Sequence, residues 1–266
     1  MQTLAPTTRS PDPAAPGTVA PVTARWLARV GYRDAWDLQH RLVEARVDDR
    51  IGDTLLLLEH PAVLTLGRQA DESHVRATPR QLRARSIEVI RVERGGEVTY
   101  HGPGQLVAYP IIKLGPRGLL LRPLVRALEA AMVDTCAALG VAGADRREGH
   151  PGCWVDVGTP MPRKIGALGL RVEHGVSYHG IALNVSTDLT DFDLIDACGL
   201  PGVVSTSIAE EVGRTAEPPT TEAVARAATV FARALAVHLE VPLEGVLPPA
   251  ADPGHERTAL DGALGV

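Results

Sequence analysis

The sequence has few aromatic residues and no excess of basic charge. Phenylalanine, tryptophan and tyrosine make up 3% of the 266 residues, which is too few for a surface that stacks nucleic-acid bases. The net charge is −5, with 27 basic and 32 acidic residues interspersed, so the chain lacks a long basic face that follows a phosphate backbone. These shortages argue against nucleic acid as a partner.

Long apolar runs are missing as well. No segment approaches the ~20 apolar residues that a membrane-spanning helix needs, and the first 24 residues lack the apolar centre of a signal peptide. Cysteine occurs only at Cys136, Cys153 and Cys198, without the CxxC spacing of a metal-binding pair. An odd number of thiols with this spacing fits a reducing compartment. The sequence therefore predicts a cytoplasmic protein that does not bind or cross a membrane.

What the sequence does contain is apolar side chain for a substantial core, since 45% of the residues are hydrophobic. Residues 1–24, rich in proline, threonine and alanine, are expected to form a disordered leader. Residues 245–266 are expected to form a flexible tail. Residues 25–244 remain as the folded domain.

Hydrophobic spacing predicts three amphipathic helices, over residues 33–47, over residues 119–139, and from Thr220 onward, where Glu222 lies in the first turn. Apolar and β-branched segments between the helices predict strands at TLLLLEH, AVLTLG, SIEVIRV, QLVAYPII, GCWVDV, KIGALGLRV and VSYHGIALNV. Clusters of strands that alternate with helices indicate an α/β or α+β sheet domain.

The segment RGGEVTYHGPGQLVAYP, residues 94–110, concentrates glycine around polar side chains. Two bends, at residues 95–96 and 102–104, enclose Arg94, Tyr100 and His101. A lone glycine pair is more typical of an elaborate hairpin. Two bends around three polar side chains favour a binding site, because a backbone without Cβ atoms lets a ligand come close.

Lysine is almost absent, occurring only at Lys113 and Lys164, so that 25 of the 27 basic residues are arginine. Arginine stays protonated at any ordinary pH, whereas a desolvated lysine can lose its proton and act as a base. A lysine that persists in such a chain is either required for that ability or present by chance, and the pattern by itself leaves both explanations open.

The cysteines and histidines divide into structural and chemical candidates. Cys198 precedes glycine and proline after an acidic loop, where a thiol is reachable and neighbouring amides can lower its pKa. Cys136 lies on the apolar stripe of a predicted helix and is expected to be buried, and Cys153 in a strand is expected to be buried too. His101 and His179 have no metal-ligand spacing, so they are expected to contact substrate or to be structural, and no metal site is predicted.

Four segments, RGGEVTYHGPGQLVAYP, PRKIGALGLRV, HGIALNV and DACG, resemble in their order and separation the octanoyltransferases of lipoate synthesis, also called lipoyl(octanoyl) transferases. EHPAVLTLGRQA precedes the first segment, and the resemblance covers the chain from about Trp36 to Ile208. It implies the α/β (α+β) fold of the biotin and lipoate protein ligases, a mixed sheet with flanking helices, and it makes residues 25–244 one catalytic domain.

The resemblance also implies acyl transfer without ATP or another cofactor. Octanoyl-acyl carrier protein would be the donor. The acceptor would be a specific lysine on a lipoyl domain of a 2-oxo acid dehydrogenase subunit or on the glycine-cleavage H protein.

Carried onto this sequence, the family pattern makes Cys198 the nucleophile and Lys164 the lysine that activates it. Ala197 is a departure, because most relatives have proline there, and its presence would loosen the cysteine loop without removing a reacting group. The octanoyl pocket would be lined by Arg94, Gly95, Gly96, Glu97, Val98, Thr99, Tyr100, His101, Ala167, Leu168, Gly169, Gly180, Ile181 and Ala182.

Three other functions fit parts of this pattern. An ATP-dependent lipoate or biotin ligase would share the fold, but the sequence lacks a GRGRxGRxW-like adenylate loop. A non-catalytic acyl-binding protein would not need both Cys198 and Lys164. A thioesterase with the same cysteine would differ only in passing the acyl group to water, and the motifs do not separate it from a transferase.

Overall fold

Two β-sheets form the frame of the computed structural model, which describes residues 19–197, 202–213 and 219–246. Among these residues the strands are β1 (Val22–Arg29), β2 (Asp53–Glu59), β3 (Val63–Leu66), β4 (Glu88–Arg91), β5 (Val98–His101), β6 (Gln105–Ile111), β7 (Asp145–Arg147), β8 (His150–Val155), β9 (Arg163–Glu173), β10 (Val176–Asn184), β11 (Val204–Ser205) and β12 (Leu243–Val246). The helices are α1 (Tyr32–Val47), α2 (Pro79–Ala84), α3 (Leu121–Ala138), α4 (Ile208–Glu211) and α5 (Thr221–His238).

The larger sheet is mixed, with the strand order β12-β1-β2-β6-β10-β9-β8-β7 and with β11 beside β9. Strands β12, β1 and β2 run parallel, as do β9 and β11, and the other neighbours are antiparallel. The smaller sheet has the order β4-β3-β5. The predicted fold class, a mixed sheet with flanking helices, is confirmed.

The position of β2 between two layers of helices explains why its sequence is an uninterrupted run of leucine. Leu55 and Leu57 join the core that α3 and α5 cover, whereas Leu56 and Leu58 join the core that α1 covers. Successive strand residues point to opposite faces, so a sheet with helices on both faces requires apolar side chains at every position.

The three predicted helices and the seven predicted strands are all present. Helix α5 begins where the sequence indicated, because the Thr220 hydroxyl accepts a hydrogen bond from the Ala223 amide at 3.2 Å. Cys136 and Cys153 are fully buried in the core under α3, as predicted. A hydrogen bond with Cys136 and burial raise the pKa of the Cys153 thiol, which favours its protonated form.

The ends of the domain differ from the sequence prediction. Strand β1 begins at Val22, inside the predicted leader, and β12 contains Gly245 and Val246 from the predicted tail. The two strands pair in parallel, with Ala24 opposite Gly245. Composition could not place these boundaries, because each short strand is stabilised by a partner from the other end of the domain. Residues 1–18 and 247–266 lie outside the described part of the chain.

The glycine-rich segment also contains more regular structure than a turn. Its central residues form β5, which pairs antiparallel with β3 and places Tyr100 opposite Leu64. The sequence indicated only two glycine bends here, since the four residues between them are too few for a clear period-2 pattern.

No helix in the described part of the chain has the length and apolarity that a membrane crossing requires.

A buried carboxylate, that of Glu59, joins strands of the larger sheet to α5. Glu59 at the end of β2 is fully buried and accepts hydrogen bonds from the Gly104 amide at 2.9 Å and from Arg29 Nη2 at 3.0 Å. The Thr221 hydroxyl at the start of α5 donates to the same carboxylate. One side chain thus links β1, β2, the bend before β6 and α5.

We expect Glu59→Ala to lower the free energy of unfolding by about 2–4 kcal/mol, because it leaves buried donors without an acceptor. Urea denaturation measures the change. The matched control is Glu88→Ala, which removes an exposed pair with Arg33 and should change the free energy by less than about 1 kcal/mol. Equal losses in the two variants would contradict the linking role of Glu59.

Candidate active site

A cavity of about 550 Å³ lies between two walls. Strands β9 and β10 of the larger sheet form one wall, and the segment 94–101, which includes β5 of the smaller sheet, forms the other. The structure brings thirteen of the fourteen predicted pocket residues to its wall, together with Lys164. They are Arg94, Gly95, Gly96, Glu97, Val98, Thr99, His101, Ala167, Leu168, Gly169, Gly180, Ile181 and Ala182.

Tyr100 is the exception and does not line the cavity. Its neighbours Thr99 and His101 do, whereas the Tyr100 ring packs against Phe192 at a centroid distance of 5.4 Å. The alternation of side chains along a strand separates Tyr100 from the residues on either side.

The glycines let two backbones meet at the cavity wall. The Gly95 amide donates to the Leu170 carbonyl at 3.1 Å, which joins the glycine bend to β9. A Cβ atom on Gly169 would lie 2.6 Å from the Gly95 oxygen, closer than side-chain carbons approach backbone. Gly96 has a φ of +85°, which glycine adopts without strain. The bend therefore needs glycine for close packing and for its turn.

The Arg94 guanidinium is turned inward and is buried. Its Nη2 donates to the Thr65 carbonyl at 2.6 Å, its Nε donates to the Thr65 hydroxyl at 3.1 Å, and its Nη1 donates to the Gly95 carbonyl at 3.0 Å. These bonds fix the bend against β3. Arg94 thus contributes a rigid cationic edge to the cavity.

Neutral histidines continue this polar wall. His101 donates from Nδ1 to the Gln105 side-chain oxygen at 2.8 Å and accepts at Nε2 from the Thr65 hydroxyl at 3.3 Å. His60 behind it donates from Nδ1 to the Val30 carbonyl at 2.7 Å and accepts at Nε2 from the Tyr109 hydroxyl at 2.8 Å. These roles require uncharged rings.

Burial is the main cause of this neutrality. It lowers the pKa of His60 to about 4, and it lowers the pKa of His101 well below the ordinary value, assisted by nearby His60 and Arg94. Burial likewise raises the pKa of Tyr109. The wall is therefore polar but bears no charge from its rings at neutral pH.

His179 lies on β10 with its ring 1% exposed at the cavity. Burial lowers its pKa, although Glu93 opposes this, with an oxygen 3.4 Å from His179 Nε2. Burial alone would raise the pKa of the Glu93 carboxyl, but the interactions with His179 and Trp36 outweigh it and hold that pKa well below its usual range. A neutral imidazole thus faces an ionised carboxylate.

Lys164 stands at another part of the wall and is 8% exposed. Its Nζ donates to the Pro151 carbonyl at 3.1 Å and lies 4.8 Å from the centre of the Trp154 ring. Its carbonyl accepts from the Thr206 amide at 2.9 Å, and Ser205 of β11 pairs with it. The lysine is held by strands on both sides.

Cys198 lies outside the described residues. The residues on either side of that gap are Ala197, which is buried in the core cluster around β3 and β5, and Gly202. Seven positions after the cysteine comes Ser205, beside Lys164. The chain on both sides of Cys198 is thus anchored near the cavity, and the role of the cysteine stays a prediction.

Several wall residues were missed in the sequence. Tyr32, Tyr109 and Trp154 line the cavity, and only Tyr109 had a signal, as a polar tip inside an otherwise apolar strand. Within the described ranges, no cluster of three or more histidine, cysteine, aspartate or glutamate side chains is arranged to hold a metal ion.

We expect the free energy of unfolding to fall as the pH decreases from about 6.5 toward 4. Above pH 6.5 His60 is neutral in both the folded and the unfolded state. Between pH 6.5 and 4 the unfolded state binds the proton first, because the pKa of His60 is about 6.5 there and about 4 in the folded protein. The free energy of unfolding therefore falls by ~3 kcal/mol in total. Urea denaturation at pH 7.5, 6 and 5 measures it. His60→Gln should flatten the slope, whereas His238→Gln near the surface should leave it unchanged. An identical slope in both variants would rule out His60 as the cause.

Comparison with known proteins agrees with this geometry. The family described as lipoyl protein ligase A/B catalytic domain matches residues 31–231. The octanoyltransferase of Chloroflexus aurantiacus is 46% identical over 194 residues, which are 73% of this chain and 85% of that relative. The octanoyltransferase of Rhodococcus opacus is 41% identical over 249 residues, which are 92% of this chain and 89% of the relative.

Solved structures share the fold at low sequence identity. A bipartite lipoate protein ligase from Thermoplasma acidophilum superposes with a TM-score of 0.58 at 14% identity, covering 93% of this chain and 92% of that one. A lipoate-protein ligase A bound with ATP gives a TM-score of 0.55 at 16% identity, covering 91% and 94%. The predicted lipoate ligase-like fold is confirmed. The chain belongs to the lipoyl protein ligase A/B catalytic domain family and, within it, to the octanoyltransferases.

Proposed function

We propose that this protein moves an octanoyl group from octanoyl-acyl carrier protein to a lysine of a lipoyl domain through a thioester on Cys198. The observation that carries the proposal is Lys164, a nearly buried lysine on the wall of a cavity that the family's pocket residues also line. The acceptors would be lipoyl domains of 2-oxo acid dehydrogenase subunits and the glycine-cleavage H protein. The reaction would take place in the cytoplasm and would need no cofactor.

In the first step Lys164 takes the proton of the Cys198 thiol, and the sulfur attacks the carbonyl carbon of the donor thioester. The tetrahedral intermediate collapses with loss of the carrier thiolate, which takes a proton from the Lys164 ammonium. One carbon–sulfur bond forms and one breaks, so the acyl group stays activated. This conservation of the thioester explains why no nucleotide is needed.

In the second step the ε-amine of the acceptor lysine attacks the acyl-enzyme. Lys164 removes a proton from the incoming nitrogen and returns it to the Cys198 sulfur as the carbon–sulfur bond breaks. The product is an amide, which does not return the acyl group to the thiol. Water would compete with the amine, and the apolar stretch of wall at Ala167, Leu168 and Ile181 supports a site from which water is displaced by the acyl chain.

The surroundings of Lys164 support a role that arginine does not fill. Lys164 Nζ is held between the Pro151 carbonyl and the Trp154 ring, so its position is defined before substrate arrives. Arginine keeps its proton under all ordinary conditions and has a larger, planar head group. These surroundings support lysine, rather than arginine, as the residue that the proposed chemistry needs at this position.

We expect intact-protein mass spectrometry to detect one octanoyl adduct after brief mixing with octanoyl-acyl carrier protein, and peptide mapping to place it on Cys198. Apo lipoyl domain added next should remove the adduct. Cys198→Ser is the matched variant and should acquire no thiol-labile adduct. Free octanoate with ATP should give none either. An adduct on Cys136 or Cys153 would overturn the assignment of the nucleophile.

We expect Lys164→Arg to lower kcat/KM for octanoyl transfer by about 100- to 10,000-fold, the range that general acid–base catalysis contributes. Lys113 provides the control, because it pairs with Asp49 at the protein surface and is the second of the two lysines. Lys113→Arg should keep nearly full activity. Near-normal transfer by folded Lys164→Arg protein would eliminate the proposed base.

A further inference from the structure

His179 occupies an unfavourable backbone conformation inside the cavity. Its φ is +54°, in the left-handed region, although it lies in the middle of β10 and opposite Leu170 of β9. A residue with a Cβ atom adopts this conformation at a cost in energy. Residues of this kind persist where surrounding contacts fix them, and they concentrate at functional sites.

Contacts from separate elements hold His179 in this conformation. The side-chain oxygen of Gln39 on α1 accepts the His179 amide hydrogen at 2.8 Å, in place of a bond to the neighbouring strand. The Tyr178 ring stacks on the imidazole at a centroid distance of 4.9 Å. The position of the ring is therefore determined before any ligand binds.

The imidazole nevertheless lacks a hydrogen bond at one of its nitrogens. Nδ1 has no hydrogen-bond partner among the described residues, whereas Nε2 lies 3.4 Å from a Glu93 oxygen. His60 and His101 nearby use both of theirs. A buried polar atom without a partner is costly unless water or a ligand supplies the bond. A cavity of about 550 Å³ has room for such water.

His179 also lies far from Lys164, the proposed catalytic base. Its partner Leu170 is six residues beyond Lys164 along β9, which corresponds to about 20 Å of strand. Between them the wall carries Ala167 and Leu168, the latter opposite Ile181. An acyl chain that starts beside Lys164 and runs along these apolar residues ends toward His179.

We propose that His179 limits the length of the transferred acyl chain through its polarity, an inference that depends on the octanoyl transfer proposed above. An octanoyl chain stops short of the imidazole and leaves its water in place. A longer apolar chain displaces that water and leaves Nδ1 of the ring unpaired, so the gain from burying further methylene groups is offset. His179 is thus a specificity-determining residue and takes no part in the bond changes.

The first test uses the unaltered protein and needs no variant to fold. Acyl carrier protein is loaded with octanoyl, dodecanoyl or hexadecanoyl groups, and with dodecanoyl and hexadecanoyl chains that carry a terminal hydroxyl. Transfer to apo lipoyl domain gives kcat/KM for each donor. We expect the hydroxyl to raise kcat/KM about tenfold over the unsubstituted chain at the length where transfer first declines, because it replaces the water on the imidazole. No increase at either length overturns the proposal.

The second test compares two variants at the same position. His179→Phe keeps an aromatic ring but removes the nitrogens, and it should raise the ratio of hexadecanoyl to octanoyl transfer by about tenfold. His179→Asn tolerates the left-handed backbone and keeps a polar group, so its ratio should stay within about threefold of the original. Melting temperatures verify that both variants fold. An unchanged ratio in His179→Phe, or an equal rise in both variants, overturns the proposal.

The two proposals fail separately. If the unaltered protein does not transfer octanoyl groups, the proposed transferase function itself is wrong. If octanoyl transfer occurs but neither terminal hydroxyls nor the His179 variants change chain-length preference, only the proposed limit on chain length is wrong.

Discussion

The contact between two backbones, at Gly95 and at Gly169–Leu170, is the constraint on which the cavity depends. The hydrogen bond from the Gly95 amide to the Leu170 carbonyl holds the glycine bend against β9, and the missing Cβ of Gly169 makes the approach possible. With this contact in place, segment 94–101 becomes one wall of the cavity and strands β9 and β10 become the other. A side chain at Gly169 would separate the walls.

Both faces of the larger sheet are covered by helices, which explains where the cavity lies. Helices α3 and α5 cover one face and α1 the other, so β2 and β6 are buried on both sides. Space for a ligand remains where the smaller sheet meets β9 and β10. Glu59 secures this region by joining β2 to α5 and to the Gly104 amide. Stability and site are therefore coupled through the same strands.

The site separates neutral polar groups from charged ones by burial and pairing. As uncharged groups, His60 bonds Tyr109 and the backbone, and His101 bonds the side chains of Gln105 and Thr65. Glu93 is ionised because its interactions with His179 and Trp36 lower its pKa. Lys164 stands apart from this wall, beside Trp154. An apolar chain between the two regions contacts few charges, which suits a fatty acyl group better than a nucleotide.

The sequence by itself determined the fold class, the main helices and strands, and most of the cavity wall. The helices and strands follow from hydrophobic periodicity, which is a local property of the chain, whereas the cavity wall follows from the resemblance of ordered motifs to a known family. Only the tertiary structure decided that β12 pairs with β1, that Tyr100 faces away, and that Tyr32 and Trp154 join the wall. The sequence contained no sign of the strained backbone of His179 or of its unpaired Nδ1. Such features depend on partners distant in sequence, and periodicity contains no information about them.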